Sequence, residues 1–150
     1  MTQNDLREAM KDAMRSKDAV RLSVIRGIMT GATNELISKG GKPTDVLPEE
    51  DVMAIIRRAS KQRKDSIAQF EQGGRRDLAE TEKVELAIIE SMLPALMTEE
   101  EVRLIAIEKA AELGITDKSQ VNQLMGALMK DLKGKADGTV VKTVADSMFE

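Results

Sequence analysis

Apolar positions recur at helical spacing along nearly the whole chain. Leu22, Ile25, Met29, Ala32 and Leu36 are separated by 3, 4, 3 and 4 residues, which draws one apolar stripe down an α-helix. Turn and cap residues mark where such helices stop and start. Thr2 with Asp5 three residues on predicts a first helix reaching about Arg15. Ser16-Lys17-Asp18 breaks it, and Asp18 suits the cap of the second helix, which ends at Gly40-Gly41. Lys42–Leu47 is a loop holding Pro43. Pro48 fits the first position of a third helix, with Glu49, Glu50 and Asp51 in its positive first turn. That helix runs to Gln72 and stops at Gly73-Gly74; a fourth follows from about Asp77 to Met92.

Leu93-Pro94-Ala95-Leu96-Met97 interrupts the pattern and is apolar, which predicts a packed linker. Thr98 and Glu101 form a capping box for a fifth helix carrying Val102, Ile105, Ala106, Ala110 and Leu113, closed by Gly114. A sixth starts at Asp117 or Ser119 and carries Val121, Leu124, Met125, Leu128, Met129 and Leu132 up to Gly134. Asp137-Gly138 opens a seventh with Val140, Val141, Val144 and Met148. The expected fold is all-α: a bundle of four helices over residues 1–93, a linker at 94–97, and a smaller three-helix unit over 98–150. So small a second unit buries little surface and is expected to lean on the first part or on a partner.

Composition narrows the chemistry. Only 1% of residues are aromatic, namely Phe70 and Phe149, so the cores must be built from aliphatics and the ten Met. There is no His and no Cys. Catalysis by Cys-His or Ser-His-Asp is excluded, as are zinc sites of His and Cys. A site of carboxylates for Mg²⁺ stays open on composition alone, but no motif calls for a metal, a cofactor or a catalytic residue, and none is expected. Base-stacking platforms need aromatics this chain lacks. The net charge is −3; residues 1–97 carry 16 basic and 16 acidic groups and residues 98–150 carry 7 and 10. Any nucleic-acid contact would therefore be a local patch. The longest uncharged run, Ser119–Met129, is eleven residues, against roughly 20 for a membrane span. The N-terminus MTQNDLREAM shows no leader pattern. No membrane association and a cytoplasmic location are expected.

Charge placement is the most specific signal. With Arg57 at 0° and 100° per residue, Val52, Ile55, Ile56, Ala59, Ile67 and Phe70 fall between about 160° and 280° on helix three. Arg63 falls inside that stripe at about 240°. Glu82 and Glu85 sit in the stripe of helix four formed by Leu78, Ile88, Ile89 and Met92. An unpaired charge on a core face costs several kcal/mol, so Arg63 is expected to pair with Glu82, Glu85 or both; the plainer alternative is that it snorkels to the edge. Arg57, Arg58, Lys61 and Lys64 face outward, either as a solvated face or as a ridge for phosphates. Lys130, Lys133 and Lys135 cluster around Gly134, also outward, where cations favour a helix C-terminus in any case. Gly126 lies on the same outward face and costs about 1 kcal/mol against Ala in a helix; close approach of another backbone or a phosphate would explain it.

Three strings together carry a resemblance over essentially the whole chain: Lys61-Gln62-Arg63-Lys64-Asp65-Ser66; Glu85-Leu86-Ala87-Ile88-Ile89-Glu90 leading into Leu93-Pro94; and Met125-Gly126-Ala127-Leu128-Met129 followed by Lys133-Gly134-Lys135-Ala136-Asp137-Gly138. In that order and spacing they resemble the YqeY family, which is similar to the C-terminal tail of the B subunit of the tRNA-dependent amidotransferase. The resemblance implies an all-α fold and contact with the tRNA body, through positions that map onto Gly126, Met129, Lys130, Lys133, Gly134 and Ala136. One departure stands out: Asn122-Gln123 occupy a step where members commonly carry Gly-Lys, so this chain has one cation fewer there. The relative's chemistry, carbon–nitrogen ligation with glutamine as amide donor, resides outside the tail. The amidase pattern with its catalytic Ser and Lys is absent here.

Two function classes follow. The first is a non-catalytic tRNA-binding module using Lys130, Lys133, Lys135, Gly126 and Gly134, with Arg57, Arg58, Lys61 and Lys64 as a second ridge. The alternative is an adaptor for an amidotransferase or an aminoacyl-tRNA synthetase, docking through an apolar groove of helix six and the linker Leu93–Met97, for which Met97, Met125 and Met129 would be exposed together; the plainer alternative is that these Met fill the core. An intrinsic enzyme is the weakest reading: Ser60 and Lys61 are adjacent on one helix and diverge by about 100°.

Overall fold

Thr2 opens the first helix by accepting the Asp5 N–H while the Asp5 carboxylate takes the Thr2 N–H at 2.7 Å, a reciprocal capping box. From there, the computed structural model describes residues 1–149. Among the described residues there are seven α-helices, one short 3₁₀ turn and no β-strand. They form two compact units, Met1–Leu93 and the residues from Pro94 onward.

The first unit holds α1 (Gln3–Arg15), α2 (Ala19–Ser38), α3 (Glu49–Gln72) and α4 (Arg76–Glu90). Asp18 caps α2 through the Arg21 N–H at 3.0 Å. Pro48 stands immediately before α3, so the helix begins one residue later than its sequence suggests. Leu6, Ile25, Val52, Ile56 and Ile89 are fully buried in one core. The α2 stripe is wider than the simple pattern: Val24 and Ile28 are buried in it, while Leu22 and Met29 are half-buried at its edge. The Gln3 side chain, buried in this core, accepts the Leu47 N–H at 2.7 Å and satisfies the loop before α3.

The second unit holds α5 (Glu99–Leu113), α6 (Val121–Asp131) and α7 (Gly138–Ser147), each packed on the other two. Thr98 and Glu101 close a second capping box, and Gly114 takes the left-handed conformation that ends α5. The expected sixth helix divides: Asp117 caps a 3₁₀ turn, Lys118–Gln120, and α6 follows from Val121 to Asp131. Val102, Ala106, Leu124, Leu128, Val144 and Ala145 are fully buried in its core. Residues 94–97 belong to this unit; Met97 packs on its core and donates its N–H to the Lys135 carbonyl at 2.9 Å.

Candidate functional site

In the first unit the structure ties the apolar-face charges together. Arg63 Nη1 donates to Glu82 at 2.9 and 3.1 Å, and Nη2 lies 2.7 Å from Glu85 Oε2. The second contact is misaligned for a hydrogen bond, and Oε2, fully buried, has no donor. Arg63 therefore serves two carboxylates of α4 from α3. Burial and pairing make this an architectural site.

The outward ridge on α3 is exposed along its length but half neutralised. Lys64 pairs with Glu90 at 3.1 Å and Arg58 reaches Glu35 at 3.8 Å. Arg57 and Lys61, one turn apart, have no carboxylate partner among the described residues.

The lysines of the second unit differ. Lys130, Lys133 and Lys135 are all exposed, and none forms an ion pair among the described residues. Their backbone is fixed by the turn that follows α6. Gly134 adopts φ 75° there, the left-handed region that glycine enters without steric cost. The Lys135 and Ala136 N–H groups both donate to the Leu132 carbonyl, at 2.9 and 3.1 Å, and the Lys135 carbonyl is held by Met97. Asp131, beside Lys130 in the sequence, is committed elsewhere. It binds Lys109 at 2.7 Å, and that hydrogen bond, with Lys130 and Lys135 nearby, holds its carboxyl below the usual range. The Lys109 ammonium is correspondingly raised, chiefly by Asp131.

Gly126 sits on the same outward surface. It is exposed, and a Cβ there would meet nothing within 4 Å. No internal packing therefore explains a glycine in mid-helix. Asn122 and Lys130, four residues to either side, lie within about 40° of it on the helix. The result is a bare stretch of helix backbone bordered by the Asn122 amide and the Lys130 ammonium. The ridge on α3 lies in the other unit.

The Met patch does not form. Met97 and Met125 pack on the second core, leaving Met129 exposed. Sequence reasoning also missed a cavity of about 870 Å³ in the first unit, between α2 and α3, with Gly27, Gly31, Asn34, Ala59 and Gln62 in its lining. Gly27 and Gly31 in mid-helix were its signal. Gly31 is explained internally, since its Cβ would come 3.1 Å from Ile55. No group of three Asp or Glu among the described residues is placed to hold a metal ion, and no helix is long and apolar enough to cross a membrane.

A family model described as Yqey-like protein matches residues 3–148. A Kluyveromyces lactis protein named "Altered inheritance of mitochondria protein 41, mitochondrial" is 33% identical over 151 residues, covering 97% of this chain and 80% of its own. Proteins of the same name from Lachancea thermotolerans and Candida glabrata are 34% and 31% identical, covering 89% and 97% of this chain and 67% and 82% of theirs. These names correct the cytoplasmic expectation, because they point to mitochondria. A cysteine-free composition is compatible with either compartment, so it held no information on location. With a match spanning both helical units, the chain belongs to the YqeY-like family.

Proposed function

We propose that this protein is a non-catalytic RNA-binding module that takes the backbone of tRNA on the outer face of α6. One observation carries the reading. Lys130, Lys133 and Lys135 are exposed cations with no ion pair among the described residues, and Lys130 shares one face of α6 with the open backbone of Gly126. Free ammoniums neutralise phosphates without first breaking an ion pair, and they release the counter-ions condensed there. The missing Cβ at Gly126 lets a ribose–phosphate strand approach the helix. Exposed Asn122 and Gln123 supply amides suited to 2′-hydroxyls in the shallow minor groove of an RNA helix. Phe149, the aromatic of this unit, packs on its core, so recognition rests on shape and backbone. Arg57 and Lys61 on α3 add a weaker second phosphate contact.

The test is a salt titration of binding to deacylated tRNA, with a DNA duplex of equal length as control. Three phosphate contacts predict a slope of log K against log salt of about −2 to −3, with tRNA preferred. Lys130→Glu with Lys133→Glu should abolish binding while the helical circular dichroism stays unchanged. Equal affinity for both nucleic acids, or for the variant and the parent, would overturn the reading.

A further inference from the structure

The helix α5 is inverted by size. It turns Val102, Ala106 and Ala110 toward the core and leaves Leu104 65% and Ile107 52% exposed. A helix that is apolar on two faces is suited to burial on both. Glu100 and Glu108 lie on the same arc, since the four positions span about 100° of the helix. Neither has an ion-pair partner among the described residues, whereas Glu99 is held by Arg103 at 3.0 Å and Glu112 by Lys109 at 3.4 Å.

We propose that this face docks a basic amphipathic helix of a partner protein. Two aliphatic side chains of that helix, three or four residues apart, would seat on Leu104 and Ile107. Lysines or arginines flanking them would meet Glu100 and Glu108, giving the contact its orientation and its selectivity. Charge excludes the other occupants. RNA and anionic lipid headgroups are repelled by the two carboxylates. A second copy meeting this face with its own α5 face brings the same carboxylates, and the Arg103 beside them is already bound to Glu99 and to Ser147 at 3.2 Å. The three helices pack pairwise around one core, so the outer face of α5 points away from that of α6. The inference stands on α5 alone and is independent of the RNA reading.

The experiment follows backbone amide shifts of the full ¹⁵N-labelled chain on addition of an 18-residue amphipathic peptide of Leu and Lys. A peptide of the same pattern in Leu and Glu is the control. The expected result is saturable shifts confined to α5 with the Leu/Lys peptide and none with the control. Leu104→Ser with Ile107→Ser should weaken binding at least tenfold, and so should Glu100→Lys with Glu108→Lys. Both pairs are exposed, and unchanged amide shifts for the buried Leu124, Leu128 and Val144 of α6 and α7 verify folding. Three results would overturn the proposal: shifts spread over acidic surface away from α5, equal binding by the variants, or α5 shifts that grow with protein concentration without peptide. The last would assign the face to a second copy.

Discussion

Arg63 and the lysines around Gly134 carry the same charge and have opposite fates. Arg63 is 34% exposed and lies against two carboxylates that are themselves mostly buried. Lys130, Lys133 and Lys135 are exposed and form no ion pair among the described residues. The difference is one of counter-ions. A cation with a carboxylate in place is spent on the fold, while one without is available to a ligand. The ridge on α3 falls between, with Arg58 and Lys64 engaged and Arg57 and Lys61 open.

The largest expected effect is on the engaged side. Arg63→Met would strand the mostly buried Glu82 and Glu85 without their cation, and should destabilise the first unit by about 2–3 kcal/mol. Urea denaturation measures this. Adding Glu82→Gln and Glu85→Gln to the variant should recover part of the loss, because the uncompensated charges go. RNA affinity should not change. Weaker RNA binding at unchanged stability would break the contrast.

On the open side the order reverses. Lys130→Glu with Lys133→Glu should leave stability within about 0.5 kcal/mol, as surface changes do, while lowering tRNA affinity by about 100-fold or more. Arg57→Glu with Lys61→Glu, on the half-neutralised ridge, should cost only a few-fold. An equal loss from the two pairs would raise the α3 ridge to a full partner in binding.

This contrast was partly legible in the sequence. Helical periodicity put Arg63, Glu82 and Glu85 on apolar faces, and a charge there has few options besides a partner. The caps at Thr2, Asp18 and Thr98 were equally local, since each depends on residues within three positions. What periodicity could not supply was long-range pairing. That Lys64 meets Glu90 while Lys61 meets nothing depends on the register of α3 against α4. The committed state of Asp131 depends likewise on how α5 lies on α6. The inward stripe of α5 was legible at Val102, Ile105, Ala106 and Ala110, whereas Leu113 stays exposed and the second apolar face at Leu104 and Ile107 carries no periodic signal of its own.

Gly126 offers a finer test, because its two readouts move in opposite directions. Gly126→Ala adds a methyl group in open space on a helix of ordinary conformation. Stability should rise by about 0.5–1 kcal/mol, and tRNA affinity should fall a few-fold as the methyl holds the strand off the backbone. A gain in stability with unchanged affinity would remove Gly126 from the interface and leave the lysines to act alone.

The smallest effect concerns Asp131, an acid coupled to Lys130 and Lys135. Its carboxyl titrates below the ordinary 3.8, first because Lys109 donates to it and then because Lys130 and Lys135 are close. Above pH 3.8 it is ionised in the folded and unfolded chains alike, and its tie from α6 to α5 contributes fully. As the pH falls below that value the unfolded chain takes up the proton first, and the contribution drains away until the folded group protonates as well. The stability difference between the parent and Asp131→Asn should therefore be constant from pH 7 to about 4.5 and close below 3.8, as thermal unfolding across that range will show. At pH 7 the same variant removes a negative charge from beside the proposed phosphate contacts. Its tRNA affinity should rise slightly while its stability falls. If both fell together, Asp131 would belong to the RNA-binding surface itself, and the division between engaged and open charges in the second unit would fail at that residue.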